Sequence, residues 1–455
     1  MTINKPRTIG KPGIASKPWI SRRAFVAGSA AAAGLGAAGP GLAQSINWKK
    51  HAGTKLEVTL VKSPRADIIE SGIKQFQEMT GITVGFEQIP EQQARQKQVI
   101  ELTSGKPSFD VVHTSYHVQK RLFEKSNWLT DLGPMLKDAS ITSSETDEKD
   151  FASAGLLYAK DQQGRLLSLP QTVDYWMVYY NKELFAKKGI AYPDTFDELV
   201  KAAEALTDPA NGIYGFVARG LKNANLPVYT SLLLGYGVDT VDAKGNLTTD
   251  SREGIEAAKL YQRLMTKSAP PGAIGFNWSE CQSAFLQGKV AMWLDGIGFA
   301  PPLEDPEKSR VVGKVGYGLM PKGPVTRASA TFGDGIGIPA ASQKKEAAYL
   351  FTQWATNAAN GLKMMQTGSG VSVRYSVLND PALRAGLKMP GAWLDVVQES
   401  AKISRLGLPV IIPVTEFRDV IGIGLTNLLS GGDAAVEMKK ATDAFRPVLE
   451  KSEKA

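Results

Sequence analysis

Two histidines at helical spacing are the first residues whose arrangement could do chemistry. His113 and His117 lie four positions apart, which on one face of a helix would suit a metal ion. The run 109–112 just before them reads as a short buried strand, so His113 should sit at a strand end. His51 is the only other histidine. We therefore predict no metal site and no cofactor.

The segment Gly333-Asp334-Gly335-Ile336-Gly337 looks like a dinucleotide-binding fingerprint. Ile338-Pro339 continue it as a strand, whereas the fingerprint requires that a helix opens there. The chain also lacks a P-loop, an H-E-x-x-H motif and a G-x-S-x-G motif. No recognisable catalytic residues emerge, and this favours binding over catalysis.

Polar and aromatic side chains cluster where predicted strands end. Arg65 ends the first strand, and Thr114, Tyr116 and His117 follow the third. Ligands of open α/β sheets sit at the carboxyl ends of the strands. Sugars and polyols need carboxylates, Asn, Arg or His for their hydroxyls and aromatic rings for their C–H faces. These side chains are therefore candidates for contact with a hydroxyl-rich ligand.

An alternation of strand and helix patterns positions these residues. Strand-like runs at 56–60, 82–89 and 109–112 are separated by helical patterns at 66–80 and 91–104. This βαβαβ series predicts that the first lobe is an open, doubly wound α/β sheet. Further helices are predicted at 195–206, 251–266, 278–287, 343–357, 391–402, 415–429 and 433–450.

The first 43 residues read as an export signal and not as part of the fold. Ser21-Arg22-Arg23-Ala24-Phe25-Val26 is followed by an almost charge-free Ala/Gly stretch that reaches Ala43. This is typical of a twin-arginine signal peptide, which directs a protein across a bacterial inner membrane. We predict a periplasmic protein cleaved near Ala43.

The composition of the chain without its signal limits the classes of partner and the number of domains that we expect. The signal holds six Lys/Arg and no Asp or Glu, so removing it lowers the formal charge from +8 to +2. No basic patch remains to argue for nucleic acid. Cys281 is the only cysteine, so no intrachain disulfide can form. About 410 residues suggest two or three domains.

Residues 164–185, Gly-Arg-Leu-Leu-Ser-Leu-Pro-Gln-Thr-Val-Asp-Tyr-Trp-Met-Val-Tyr-Tyr-Asn-Lys-Glu-Leu-Phe, resemble the central segment of the family 1 extracellular solute-binding proteins. These are the carbohydrate receptors of ABC importers, the maltose-binding protein group. Blocks at 193–199, 284–292 and 317–321 with 333–339 agree in family order. The resemblance covers essentially the whole mature chain.

The resemblance implies a two-lobed periplasmic binding protein fold, each lobe a mainly parallel sheet flanked by helices. The lobes would be 44–171 plus 335–371 and 172–334 plus 372–455, joined by three hinge crossings near 171–173, 331–335 and 370–374. Such proteins close around ligand by hinge motion. The implied partners are a sugar or polyol and the permease subunits of an ABC transporter, with the receptor itself a monomer.

The resemblance also directs attention to further candidate ligand contacts. It places an acidic ligand-binding residue at Asp174, and Tyr175 is its neighbour. It points to contacts from the segment of Asn223 and Asn225, while Trp293, Asp295 and Gly296 end a probable strand of the second lobe. At the crossings and on a helix facing the cleft, the remaining candidates are Asp334, Arg374 and Arg418.

Alternatives stay open at this level. Thr114 and His117 depart from the maltose-binding pattern, which suggests a smaller or more polar ligand than a maltodextrin. The same fold could serve a non-sugar solute such as a glycerophosphodiester, an aromatic compound or an amino sugar, or it could have lost its ligand. An exported glycoside-processing enzyme would use Asp174 and Asp295 as acid and base.

Overall fold

A computed structural model describes residues 46–454 of the chain. The predicted signal peptide lies outside the described residues. The first part of the fold is the βαβαβ series that the sequence predicts. Its elements are β1 Lys55–Val61, α1 Pro64–Thr80, β2 Thr83–Ile89, α2 Glu91–Thr103, β3 Val111–Ser115 and α3 Tyr116–Ser126.

The start and end of α1 show how local sequence sets these boundaries. The Ser63 hydroxyl accepts a hydrogen bond from the Ala66 N–H at 3.3 Å, and Pro64 opens the helix with its φ already suited to it. Gly81 ends the helix with a left-handed φ of 71°. Capping at Ser63 fixes Arg65 in the first helical turn, directly beyond the end of β1.

The remaining helices connect and cover the later strands. They are α4 Gly133–Leu136, α5 Ser153–Ala159, α6 Lys182–Lys188, α7 Phe196–Ala205, α8 Leu226–Gly235, α9 Arg252–Ser268, α10 Trp278–Leu286, α11 Lys345–Ala355, α12 Ala358–Gln366, α13 Tyr375–Leu378, α14 Pro381–Gly386, α15 Gly391–Lys402, α16 Val414–Leu429 and α17 Ala434–Lys454. Each predicted helix is present, with its ends shifted by a few residues at most. Among the described residues, no helix is long and apolar enough to span a bilayer.

The later strands are β4 Ser168–Asn181, β5 Met292–Gly296, β6 Val315–Gly318, β7 Ser329–Gly337, β8 Val371–Ser372 and β9 Ser404–Leu406. The strand order is β2-β1-β3-β7-β4-β5, with β6 and β8 also paired to β4 and β9 paired to β7. β4 is 14 residues long and joins both halves of the sheet.

The α/β fold class is confirmed, but the expected strand directions need correction. β1 pairs in parallel with β2 and β3. β7 runs antiparallel to β3 and β4, and β5 and β6 run antiparallel to β4. The reason is that β4 carries the chain from one half of the sheet to the other, and β7 returns in the opposite direction. In the second half, β7 pairs in parallel with the short strand β9, and an isolated parallel bridge joins Val217 with Trp293.

The three predicted crossings lie side by side. Thr172 of β4 is in register with both Asp334 of β7 and Ser372 of β8. The β4 ladder with β7 is irregular between Pro170 and Thr172. The structure therefore brings the three segments into one small patch of sheet, and the candidate site lies against this patch.

Candidate functional site

A cavity of about 290 Å³ lies beside the central strands β4 and β7. Its lining combines charged groups with aromatic rings, which is the chemistry expected of a site for a polar solute. The lining residues are Arg65, Glu91, His117, Thr172, Asp174, Trp176, Arg219, Pro227, Phe299, Phe332, Asp334, Leu408 and Arg418.

Three successive helix starts deliver polar side chains to this cavity. Arg65 lies in the first turn of α1, Glu91 opens α2 and His117 is the second residue of α3. These helices follow β1, β2 and β3 respectively, so the three side chains meet at the same edge of the sheet. The sequence argument from strand ends therefore leads to residues that line this cavity.

Alternation along the central strands supplies the opposite wall. Thr172, Asp174 and Trp176 of β4 line the cavity at every second position, as strand geometry requires. Phe332 and Asp334 of β7 do the same, and they pair in register with Asp174 and Thr172.

Asp334 is the most heavily contacted carboxylate of the site. Its oxygens lie 2.7 Å from Arg65 Nη2, 3.3 Å from the Ser115 hydroxyl and 3.5 Å from His113 Nε2. Burial would raise the pKa of Asp334, but the adjacent His113, Arg65 and His117 outweigh it and hold that pKa well below the usual range. Asp334 is therefore ionised at neutral pH and anchors Arg65.

His117 occupies an electropositive, buried position. Its pKa is lowered to about 4, chiefly by burial; the negative charge of Asp334 opposes this shift, and the positive charges of Arg95 and Arg418 contribute to it. Its ring packs edge-on against Phe332, with centroids 5.8 Å apart, and Nδ1 lies 3.4 Å from the Gly333 carbonyl oxygen. The imidazole is neutral at pH 7 and can exchange hydrogen bonds with hydroxyl groups.

Asp174 is a carboxylate with few partners. It accepts a hydrogen bond from the Gly298 N–H at 3.1 Å. Burial raises its pKa to about 6, aided by the negative charge of Asp295 and opposed by Arg219 and Arg65. A Cβ at position 296 would lie 2.1 Å from Asp174 Oδ2, so Gly296 makes room for this carboxylate.

Arg219 is held between an acid and two rings. Its Nε donates to Asp295 Oδ2 at 2.9 Å, and its Nη2 bonds the second oxygen of that carboxylate. The guanidinium carbon lies 5.1 Å from the Trp176 ring centroid and 5.5 Å from that of Phe299. Asp295 is fully buried and holds the Arg219 guanidinium through both of its carboxylate oxygens.

Arg418 reaches the cavity from α16. Its Nη2 donates to the Asn223 carbonyl at 3.3 Å, while its Nε is buried without a hydrogen-bond partner among the described residues. Burial lowers its pKa to about 10, and the positive charges of Arg95 and Arg219 contribute in the same direction.

Five predicted residues line the cavity: Arg65, His117, Asp174, Asp334 and Arg418. Ligand contact by each of them stays a prediction. The lining residues that sequence reasoning did not include among its candidates are Glu91, Thr172, Trp176, Arg219, Phe299 and Phe332. The period-two pattern from Asp174 could have found Thr172 and Trp176, and Glu91 opens a predicted helix. No local signal marks Arg219 or Phe299.

The other predicted residues lie outside the cavity lining. Thr114 and Tyr175 are fully buried, because β3 extends to Ser115 and because Tyr175 projects from the opposite face of β4 to Asp174. Tyr116 is also buried, stacks on Tyr158 and shares a hydrogen bond with Ser168.

The candidates of the second half have structural partners as well. The ring of Trp293 stacks on Tyr179 at 4.9 Å, and Asn225 donates to the Gly422 carbonyl at 3.0 Å. The Asn223 side chain donates to Asp419, although its carbonyl supports Arg418. Arg374 is buried, pairs with Asp150 at 2.9 Å and stacks over Phe151 at 4.4 Å. Ligand contact by these residues and by Asp295 and Gly296 stays a prediction, and the contacts that the structure shows for them are with other residues of the chain.

A larger groove of about 1060 Å³ lies on the other side of α3. Val118 and Leu122 of α3 and Pro413, which directly precedes α16, are among its largely apolar lining residues. Volume alone does not make a polar solute site, since such a site needs convergent polar groups. The smaller cavity has them, together with the perturbed pKa values of Asp174 and His117.

The α/β fold and this charged, aromatic cavity define a protein that binds a small polar solute. Residues 62–361 match the family described as bacterial extracellular solute-binding protein. The chain belongs to this family, as the resemblance implied, and the family consists of substrate-binding proteins.

Two relatives show what the chain resembles in sequence. It is 25% identical over 417 residues to the erythritol/L-threitol-binding protein of Mycolicibacterium smegmatis, covering 87% of this chain and 86% of that protein. It is also 25% identical over 283 residues to the mannitol-binding protein of Pseudomonas aeruginosa, covering 61% of this chain and 63% of that protein.

A solved structure shows the same fold. A solute-binding protein from Agrobacterium radiobacter in complex with ribitol superposes with a TM-score of 0.76 at 26% identity, covering 87% of this chain and 99% of that one. The two-lobed architecture of such receptors is thereby established for this chain.

Proposed function

We propose that this chain is the exported substrate-binding component of an ABC importer and that it takes a sugar or polyol into the 290 Å³ cavity. The single observation that carries the proposal is the meeting of Asp174 and the Arg65–Asp334 pair with the Trp176 and Phe332 rings. Carboxylate and guanidinium groups bind hydroxyls, and rings cover C–H faces. The named ligands of the relatives, erythritol and mannitol, support a small polyol.

Closure would turn about the patch formed by β4, β7 and β8, with the lobe boundaries expected from the sequence. Side-by-side pairing of the three segments supports this proposal, since a hinge needs adjacent crossings that bend together. Ligand that contacts both lobes stabilises the closed state by its differential affinity. Small-angle X-ray scattering should show a smaller radius of gyration when a solute binds.

The placement of Asp295 supports the proposal of binding without turnover. A glycoside-processing enzyme would need Asp295 free to face a substrate, but its side chain is fully buried against Arg219. Asp174 therefore lacks the particular acid–base partner, Asp295, that the sequence argument assigned to it. The proposal also includes export by the twin-arginine route and delivery of the solute to a permease. Replacing Arg22-Arg23 with two lysines should therefore prevent accumulation of the protein in the periplasm.

The proposal is tested by titrating the purified mature chain with erythritol, ribitol, D-mannitol and maltose. A solute at 100 times its dissociation constant should stabilise the protein by about 2.7 kcal/mol, which a thermal shift detects. Asp174→Asn should weaken that shift, whereas Asp197→Asn on the exposed face of α7 should not. Chemical conversion of the solute, or shifts that Asp174→Asn leaves unchanged, would contradict the proposal.

A further inference from the structure

The charged residues around the cavity fall into internal pairs. The Arg65 and Asp334 side chains lie 2.7 Å apart, and Arg219 is bonded to Asp295 at 2.9 Å. Arg95 is bonded to Glu91 one helical turn away. Each of these guanidinium groups already has its carboxylate, so none of the three requires an anion from outside the protein.

Arg418 is the arginine of the cavity lining that takes part in no such pair with a described residue. Among the described residues it makes no ion pair, and its one hydrogen bond is to the Asn223 carbonyl. The adjacent carboxylate, Asp419, accepts from the Asn223 side chain at 2.9 Å and lies 3.7 Å from Lys222. The Arg418 Nε is buried without a partner although the side chain lines the cavity. A buried charged donor without an acceptor is costly, and a ligand can supply the acceptor.

Asp174 is a carboxylate without an arginine or lysine partner among the described residues, and it lines another part of the same cavity. It accepts one backbone hydrogen bond, from Gly298, and forms no ion pair with a described residue. Asp174 lies on β4 against Gly296 and Gly298, whereas Arg418 lies on α16 against the Asn223 carbonyl. The two unpaired groups therefore sit in different surroundings and leave the cavity with separate positive and negative ends.

We propose that the physiological solute is a polyhydroxy carboxylate of the aldonic acid class, with its carboxylate on Arg418 and its hydroxyls directed to Asp174. This inference rests on the proposed function and narrows it. A carboxylate accepts charge-assisted hydrogen bonds, which are about twice as strong as those between neutral groups. A monoanion matches the single unpaired guanidinium, whereas a phosphate dianion would add a second charge near Glu91 and Asp174.

The test compares matched pairs that differ only in the terminal group: D-mannonate with D-mannitol, and D-ribonate with ribitol. Isothermal titration of the mature chain should show the acid of at least one pair binding about tenfold or more tightly than its polyol. The acid's advantage should shrink as salt is added.

Arg418→Gln should remove most of the acid's advantage, and Arg418→Lys should restore part of it because the charge returns without the planar fork. Lys440→Gln is the matched control, since it removes one positive charge from an exposed position on α17 and should leave the ratio intact. Circular dichroism of each variant confirms folding. If Arg418→Gln does not fold, the wild-type acid-to-polyol ratio and its salt dependence still decide.

Each remaining outcome is decisive. Tight polyol binding with no preference for the acid would overturn the inference and leave the proposed function standing. D-mannose 6-phosphate or a zwitterionic amino-sugar acid binding more tightly than either aldonate would also overturn it. If the protein binds none of these polyols, sugars or acids, the proposed function itself is contradicted.

Discussion

Asp174→Asn should stabilise the ligand-free protein at neutral pH while it impairs binding. In the fold, burial raises the pKa of Asp174 from 3.8 to about 6. Keeping this carboxyl ionised at pH 7 therefore costs about 3 kcal/mol, at 1.36 kcal/mol for each pH unit of difference. Asparagine has the same shape, carries no charge and can still accept from the Gly298 N–H.

The sign and the pH window follow from linkage. Because the folded pKa is raised, the folded state binds the proton more strongly than the unfolded state does. The wild-type protein therefore loses stability as pH rises from about 4 to about 6. The advantage of Asp174→Asn should be near zero at pH 4 and reach its full size above pH 6.

Urea unfolding without ligand at pH 4, 5, 6 and 7 measures this difference directly. Asp197→Asn serves as the control and should change the free energy of unfolding by no more than about 0.5 kcal/mol at any pH. The reasoning is refuted if Asp174→Asn is no more stable than wild type at pH 7, or if its advantage is the same at every pH.

Three further predictions concern the same surroundings. Asp295→Asn should lower the free energy of unfolding by about 3–5 kcal/mol, because Arg219 loses its buried carboxylate; a loss below about 1 kcal/mol in urea unfolding would contradict this. Gly296→Ala should weaken solute binding by titration calorimetry, since its Cβ would lie 2.1 Å from Asp174 Oδ2; Gly275→Ala, where a Cβ meets nothing within 4 Å, is the control. Hydroxyls that donate to ionised Asp174 should bind about tenfold more weakly at pH 5 than well above its pKa of about 6, and a flat affinity profile would count against that contact.

Local sequence signals predicted the elements of the fold well. The helices predicted from the sequence are present, and α15 has the predicted boundaries 391–402, whereas α3 and α8 were not predicted. The strand-end rule led to Arg65 and His117 because helix starts follow parallel strands at one edge. The predicted strand ended at residue 112, whereas β3 continues to Ser115. Its polar residues can be buried because the side chains of His113 and Ser115 both contact Asp334.

Contacts between distant segments account for what the sequence did not reveal. In the sequence, Asp295 resembles a ligand-binding carboxylate at the end of a strand. In the structure it accepts a hydrogen bond from Arg219, which lies 76 positions earlier. Tyr175 and Trp176 are adjacent in sequence, and only the packing of β4 decides which one faces the cavity. Arg374 likewise pairs with Asp150, 224 positions away. Side-chain pairing of this range has no signature in a single sequence.

A crystal structure of the mature chain with a solute that stabilises it tests the central claim most directly. We expect the solute in the cavity bounded by Asp174, Arg65 and Trp176, with hydroxyls on the carboxylate and a carbon face against a ring. A solute found instead in the apolar groove beside Val118 and Pro413 would contradict the account.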